Sequence, residues 1–234
     1  MIKAILFDFN GVIIDDEPIQ HRAYQAAFEP LGISITDEQY YAQLGKDDRA
    51  FVEAICQNAG HDLTVADRDA LIERKSARHR ELISDELPLF PGVVSFIKSA
   101  ARHYTLGLVS MARRVEIEYV LERAGLTGEF SAIISAEDVR ACKPDPDCCN
   151  QAFRIVDDLH MAAGRSPVLR AECLVIEDAP PGILGARAAG MRTLGVTNTV
   201  SEAALRAAGA DVVTHDLFDW TVEAVAELYS PAAA

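Results

Sequence analysis

Four places in this 234-residue sequence put a reactive side chain where a short apolar run stops or turns polar. Asp8 follows IKAILF, Ser110 ends YTLGLVS, Lys143 lies in the polar segment AEDVRACKPDPD, and the pair Glu177-Asp178 follows ECLVI. A carboxylate so placed can act as a nucleophile or ligate a metal, and an acidic pair offers the hard oxygens that Mg²⁺ prefers. A serine hydroxyl with neighbouring backbone N–H groups, and a lysine, can hold anionic oxygens. Transfer of a phosphoryl group needs this set: a nucleophile, compensation for charge on the phosphate oxygens, and a metal that lets two anions approach. Each piece taken singly also has a plainer reading. Asp8-Phe9-Asn10-Gly11 consists largely of ordinary turn residues, Ser110 reads as a helix cap, Lys143 as a surface lysine, and Glu177-Asp178 as a solvated acidic loop.

Two of the motifs resemble those of the haloacid dehalogenase (HAD) superfamily. DFNGVIIDDEP is similar to its first motif, Asp-x-Asp-Gly-Val/Thr followed by an acidic segment such as Asp-Ser-Glu-Pro. IEDAPPGILGARAAGM is similar to its metal-binding run, Glu-Asp-Ser/Ala-x-x-Gly-x-x-Ala-x-x-Ala-Gly-Met, and Ser110 and Lys143 stand between the two in the family's order. The likeness covers nearly the whole chain and is to the β-phosphoglucomutase-like phosphatases. It implies that Asp8 accepts a phosphoryl group, that Ser110 and Lys143 are catalytic, and that Mg²⁺ is held by Asp8, the backbone carbonyl of Asn10, Asp178 and Glu177. It further implies substrate contacts from Lys46, Arg49, Met111, Arg113 and Arg114, although solvated helix charges are an equal reading for Lys46 and Arg49.

Asn10 departs from the pattern. The family's aspartate at this position protonates the leaving group and then activates water, and an amide can do neither. The resemblance therefore implies a Mg²⁺-dependent phosphatase, or a phosphomutase, that acts on a small phosphorylated metabolite and is slow because of Asn10. On that reading Asn10→Asp raises turnover by roughly 10²-fold. Two alternatives remain: a phosphate-ligand binder or sensor, and a phosphonate C–P hydrolase using Lys46 as a Schiff base. Relatives commonly carry His where Gln20 stands, so His21 is displaced from that role.

The elements that must position these residues follow from periodicity. Ile2, Ala4, Ile5, Leu6 and Phe7 read as a strand buried on both faces, and ligands of open α/β sheets bind at the carboxyl ends of such strands. From about residue 16 to 86 the pattern is helical throughout. Pro18 sits in a first turn, Thr36 with Gln39 makes a capping box for a helix ending at Leu44-Gly45, Asp47 or Asp48 opens another, and Thr64 with Asp67 opens a long charged one. After residue 87 strands and helices alternate: strands over 104–110, 131–135, ECLVIED, RTLGVT and near 211–213, with helices from Val93, over 115–124, after Glu177-Asp178 and near 201–208. The expected fold is α/β, a Rossmann-like parallel sheet core (1–15 and 87–234) with an inserted all-helical cap (16–86).

Composition narrows the partners. The 36 acidic and 22 basic residues give a net charge of −14, which argues against non-specific binding to nucleic acid or anionic membrane. No apolar run approaches the roughly 20 residues of a membrane span, and the N-terminus lacks a signal-peptide pattern, so a cytoplasmic protein, a monomer or weak dimer, is expected. Five cysteines without C-x-x-C spacing suggest reduced thiols, with Cys142 as a small filler.

Overall fold

All four side chains of the strand Ala4–Phe7 (β1) are buried in the computed structural model, which describes residues 1–218 and 220–229. The strand lies inside a six-stranded sheet whose neighbours all run parallel. On one side it pairs with β2 (Thr105–Val109), which pairs with β3 (Ala132–Ile134). On the other it pairs with β4 (Cys173–Glu177), followed by β5 (Arg192–Val196) and β6 (Val212–Thr214). The order β3-β2-β1-β4-β5-β6 reverses direction between β1 and β4, so the crevice at their carboxyl ends opens beside Asp8 and Asp178.

Alternation along β1 divides the core. Ile5 and Phe7 point into one apolar layer and Ala4 and Leu6 into the other. The first layer is closed by α5 (Val93–Ala100) through Phe96 and Ile97, and by α6 (Arg114–Arg123) through Ile117 and Val120. The second is closed by α7 (Asp147–Ala162) through Cys148, Ala152 and Val156, and by α8 (Pro180–Ala188) through Ala186. Each large apolar side chain buried in this way contributes about 1.5–3 kcal/mol. The helices α9 (Glu202–Ala207) and α10 (Val222–Leu228) follow β5 and β6.

Between β1 and α5 the chain forms α1 (Glu17–Phe28), α2 (Asp37–Tyr41), α3 (Asp48–Asn58) and α4 (Val65–Leu82). These helices bury an apolar cluster of their own, with Tyr24 and Phe51 stacked at 3.8 Å between ring centroids and Phe28, Ile55 and Leu71 around them. The fold is thus the expected parallel-sheet core with an inserted helical body. Both connections between the two run side by side: Asp15 N–H donates to Pro88 O at 2.7 Å and Phe90 N–H to Ile13 O at 3.2 Å.

Local signals hold where side chains cap helices. Thr36 and Gln39 form the capping box of α2, Thr64 and Asp67 that of α4, and the Asp47 carboxylate accepts from Ala50 N–H to open α3. Helix α2 ends at Tyr41 rather than at Leu44-Gly45. Residues 42–45 turn instead, because Gly45 (φ +84°) brings the loop against Pro181 of the core, where a Cβ would fall 2.6 Å from the proline ring. Helices α7 and α10 form where the sequence analysis names none, and the first strand starts at Ala4, with Ile2 buried just outside it.

Candidate active site

Asp8 continues the pairing of β1, its N–H donating to Ile176 O at 2.9 Å, so its side chain emerges at the crevice. Gly11 then turns at φ +73°, and a Cβ there would fall 1.9 Å from Asp178 Oδ2. Only glycine lets the first loop come so close to the β4 tip. Glu177 Oε2 accepts from the backbone N–H of Asp178 and Ala179 at 2.8 and 2.9 Å, which fixes the loop after β4. Its other oxygen lies 2.6 Å from Lys143 Nζ, and the same ammonium reaches Asp8 Oδ1 at 2.9 Å. Residues from three separate loops therefore meet at one point.

One carboxylate oxygen from each of Asp8, Glu177 and Asp178 lies within 4.8 Å of the other two. Burial, and then the charge of Glu177, push the Asp8 carboxyl well above the usual range, with Lys143 opposing. Asp178 is raised in the same way by burial, Glu177 and Asp8. Burial would raise Glu177 too, but Lys143 and its hydrogen bonds outweigh this and hold it low. Three carboxylates against one lysine leave a pit of negative charge that a cation relieves. Its donors are hard oxygens, which fit Mg²⁺.

The other expected residues divide among three places. Asn10, Ser110, Met111 and Lys46 line the cavity that contains Asp8, Lys143, Glu177 and Asp178. Ser110 Oγ accepts from Ala112 N–H at 3.0 Å, and Lys46 Nζ donates to Gln43 Oε1 at 2.6 Å near the surface. Arg49 and Arg113 line a neighbouring cavity instead. The Arg113 guanidinium is drawn to Glu73 (2.6 Å) and Ser76 Oγ (3.0 Å) on α4. Arg114 is held by Asp138 and the Ile133 carbonyl at the edge of the sheet. His21 faces the interior of the helical insert, with Nε2 2.9 Å from Ile35 O. Cys142 does more than fill space: its sulfur accepts from Asp47 N–H at 3.4 Å, across from core to insert.

Residues 2–190 fit the family model of the haloacid dehalogenase-like hydrolases. The chain belongs to that family. This HAD hydrolase is 29% identical over 231 residues to Beta-phosphoglucomutase of Bacillus subtilis, covering 97% of this chain and 95% of that protein. It is 28% identical over 224 residues to Hexitol phosphatase B of Escherichia coli, covering 95% and 96%. A solved β-phosphoglucomutase from Clostridium difficile shares the fold with a TM-score of 0.81 at 23% identity, over 98% of this chain and 97% of that one. With 29% identity over 225 residues, the chain also spans 20% of Protein SUPPRESSOR OF QUENCHING 1, chloroplastic, of Arabidopsis thaliana.

Apart from Lys46, the insert's side of the HAD cavity is built by residues to which the sequence analysis gives no role. Glu17, Gln20, Tyr24, Asp48 and Lys75 line it, together with Glu116 of α6. Lys75 Nζ donates to Asp48 at 3.1 Å and to Glu116 at 3.2 Å, all three side chains being buried. Tyr24 OH donates to the same Asp48 oxygen, while Asp48 Oδ2 and Gln20 Oε1 are buried with no hydrogen-bond partner among the described residues. Such acceptors suit a ligand that brings hydroxyl donors, since a buried polar atom left unpaired costs about 1–3 kcal/mol. The signal was available in α4: Leu71, Ile72, Lys75, Ser76 and His79 form one buried face, so a lysine and a histidine lie on the apolar stripe.

Proposed function

We propose that this enzyme is a Mg²⁺-dependent phosphoric monoester hydrolase that dephosphorylates a small phosphorylated metabolite, a sugar or polyol phosphate, through an aspartyl-phosphate on Asp8. The observation that carries the reading is Lys143, which binds Asp8 and Glu177 at once beside Asp178, under a wall of hydroxyl-accepting groups. An Asp8 oxygen attacks phosphorus, the bond from phosphorus to the substrate oxygen breaks, and that oxygen leaves with a proton from solvent or a cavity group. Water then attacks phosphorus of the acyl phosphate and passes a proton to solvent, and the bond from phosphorus to the Asp8 oxygen breaks, releasing inorganic phosphate and the free Asp8 carboxylate. Lys143 orients the nucleophile and balances charge on the phosphate oxygens, and the Ser110 hydroxyl holds one of them. Asp8, the Asn10 backbone carbonyl and Asp178 would hold the metal, with Glu177 as a ligand or in support. When bound, Mg²⁺ supplies the positive charge that lets a phosphate dianion approach a carboxylate.

Lys46 stands at the cavity as a substrate contact and Met111 borders it, while no part is given to Arg49, Arg113 or Arg114. The same reading treats residues 1–15 and 87–234 as the core and 16–86 as the cap, supported by the cap's separate apolar cluster and by the paired connections. The names of relatives, among them Hexitol phosphatase B and Beta-phosphoglucomutase, support the substrate class. Phosphate release from a panel of hexose, hexitol and glycolate phosphates, with Mg²⁺ and with EDTA, tests the proposal. Metal-dependent release is expected. Tight binding of these esters without release would instead favour a phosphate-ligand binder.

A further inference from the structure

Asp16 is fully buried and stands at the N-terminus of α1, yet its side chain caps no backbone N–H. An aspartate there would ordinarily accept from the first turn. Its carboxylate is turned instead toward residue 10. The Asn10 amide, through Nδ2, donates to Asp16 Oδ1 at 2.9 Å and to Oδ2 at 3.1 Å. Gln20 Nε2 donates to Oδ2 at 3.0 Å, and His79 Nε2 of α4 lies 2.7 Å from the same oxygen. Donors from the catalytic loop, from α1 and from α4 thus converge on one carboxylate with no solvent exposure. That is the condition under which a buried charge is tolerated. With Nδ2 committed, Asn10 Oδ1 has no hydrogen-bond partner among the described residues, and Asn10 borders the cavity.

We propose that Asp16 is a positioning residue for Asn10: it holds the amide with Nδ2 toward the protein, presents Oδ1 to the reacting groups, and makes a carboxylate at position 10 destabilising while Asp16 is present. Residues 10 and 16 form a donor–acceptor pair whose polarity can be reversed. Asn10→Asp alone sets two carboxylates against each other in a buried spot. Asn10→Asp with Asp16→Asn restores the hydrogen bond with donor and acceptor exchanged, and places a carboxylate in the cavity. The departure at Asn10 is then one half of a matched pair, and the simple expectation that Asn10→Asp raises turnover does not hold for the single variant. The catalytic consequence rests on the phosphatase reading, whereas the pairing does not.

A cycle of four proteins tests this: wild type, Asn10→Asp, Asp16→Asn and the double variant, each measured for melting temperature without substrate and for kcat and KM with p-nitrophenyl phosphate and Mg²⁺. Asn10→Asp is expected to melt about 5 °C or more below wild type, and the double variant to regain most of the loss. The double variant is also expected to exceed the wild-type kcat by about 10-fold or more at similar KM, as a carboxylate placed for proton transfer provides, while Asn10→Asp alone does not. A double variant no more stable than Asn10→Asp, or a single Asn10→Asp that gains turnover with no thermal loss, overturns the proposal. Absence of turnover in all four counts against the phosphatase reading, and the thermal cycle still decides the pairing.

Discussion

Lys143 Nζ lies 2.9 Å from Asp8 Oδ1, with the lysine side chain only 4% exposed. An ammonium so deeply placed is stable because it also meets Glu177 at 2.6 Å, and both carboxylates hold it protonated well above the usual lysine range despite burial. Removing it strands two carboxylates. Lys143→Met is therefore expected to lower stability by about 3–5 kcal/mol and turnover by at least about 10²-fold. Thermal melts should show a larger loss in EDTA than in Mg²⁺, since a cation replaces part of the missing charge.

Metal binding should report on the same cluster. At a free Mg²⁺ concentration of about 100 Kd, ligand linkage stabilises the folded state by about 2.7 kcal/mol. Wild type is expected to melt several degrees higher in Mg²⁺ than in EDTA, and Asp178→Asn to shift much less. An equal shift in both would remove Asp178 from the site.

Glu17 supplies the pH dependence. Burial, then the charge of Asp16, push its carboxyl from 4.5 up to about 7; Glu177 adds to this, while the Tyr40 hydroxyl and Lys75 oppose it. Tyr41 of α2 and Asp178 at the β4 tip also face this charge. A carboxyl raised in the folded state favours folding fully below its ordinary value, and that contribution is lost as pH rises through about 7. In the cavity, the ionised form repels a phosphate dianion, so KM should rise as pH passes about 7. Initial rates across that range, for wild type and Glu17→Gln, check this: the variant should show a flatter KM profile.

Much of the core could be read from the chain. The apolar run before Asp8, the capping boxes at Thr36 and Thr64, and the acidic pair after β4 each carry a local physical signature, and parallel-sheet topology brings the strand tips together. What escaped was set by packing between distant elements. The periodicity of α4 puts Lys75 and His79 on the same face as Leu71 and Ile72, but the partners they meet there, Asp48, Glu116 and Asp16, come from elements far apart in the chain. Arg113 looks free to reach a substrate, yet Glu73, Ser76 and Glu137 claim it. Asp16 reads as one member of an acidic turn, and only its burial beside Asn10 gives it a separate role.

Asp8 is the residue proposed to carry the phosphoryl group. After brief reaction with acetyl phosphate in Mg²⁺, acid quenching and peptide mass spectrometry should find one phosphate on the peptide containing Asp8 in wild type and none in Asp8→Asn, with phosphatase turnover lost in the variant. Phosphate on another residue, or turnover retained by Asp8→Asn, would rule out Asp8 as the nucleophile.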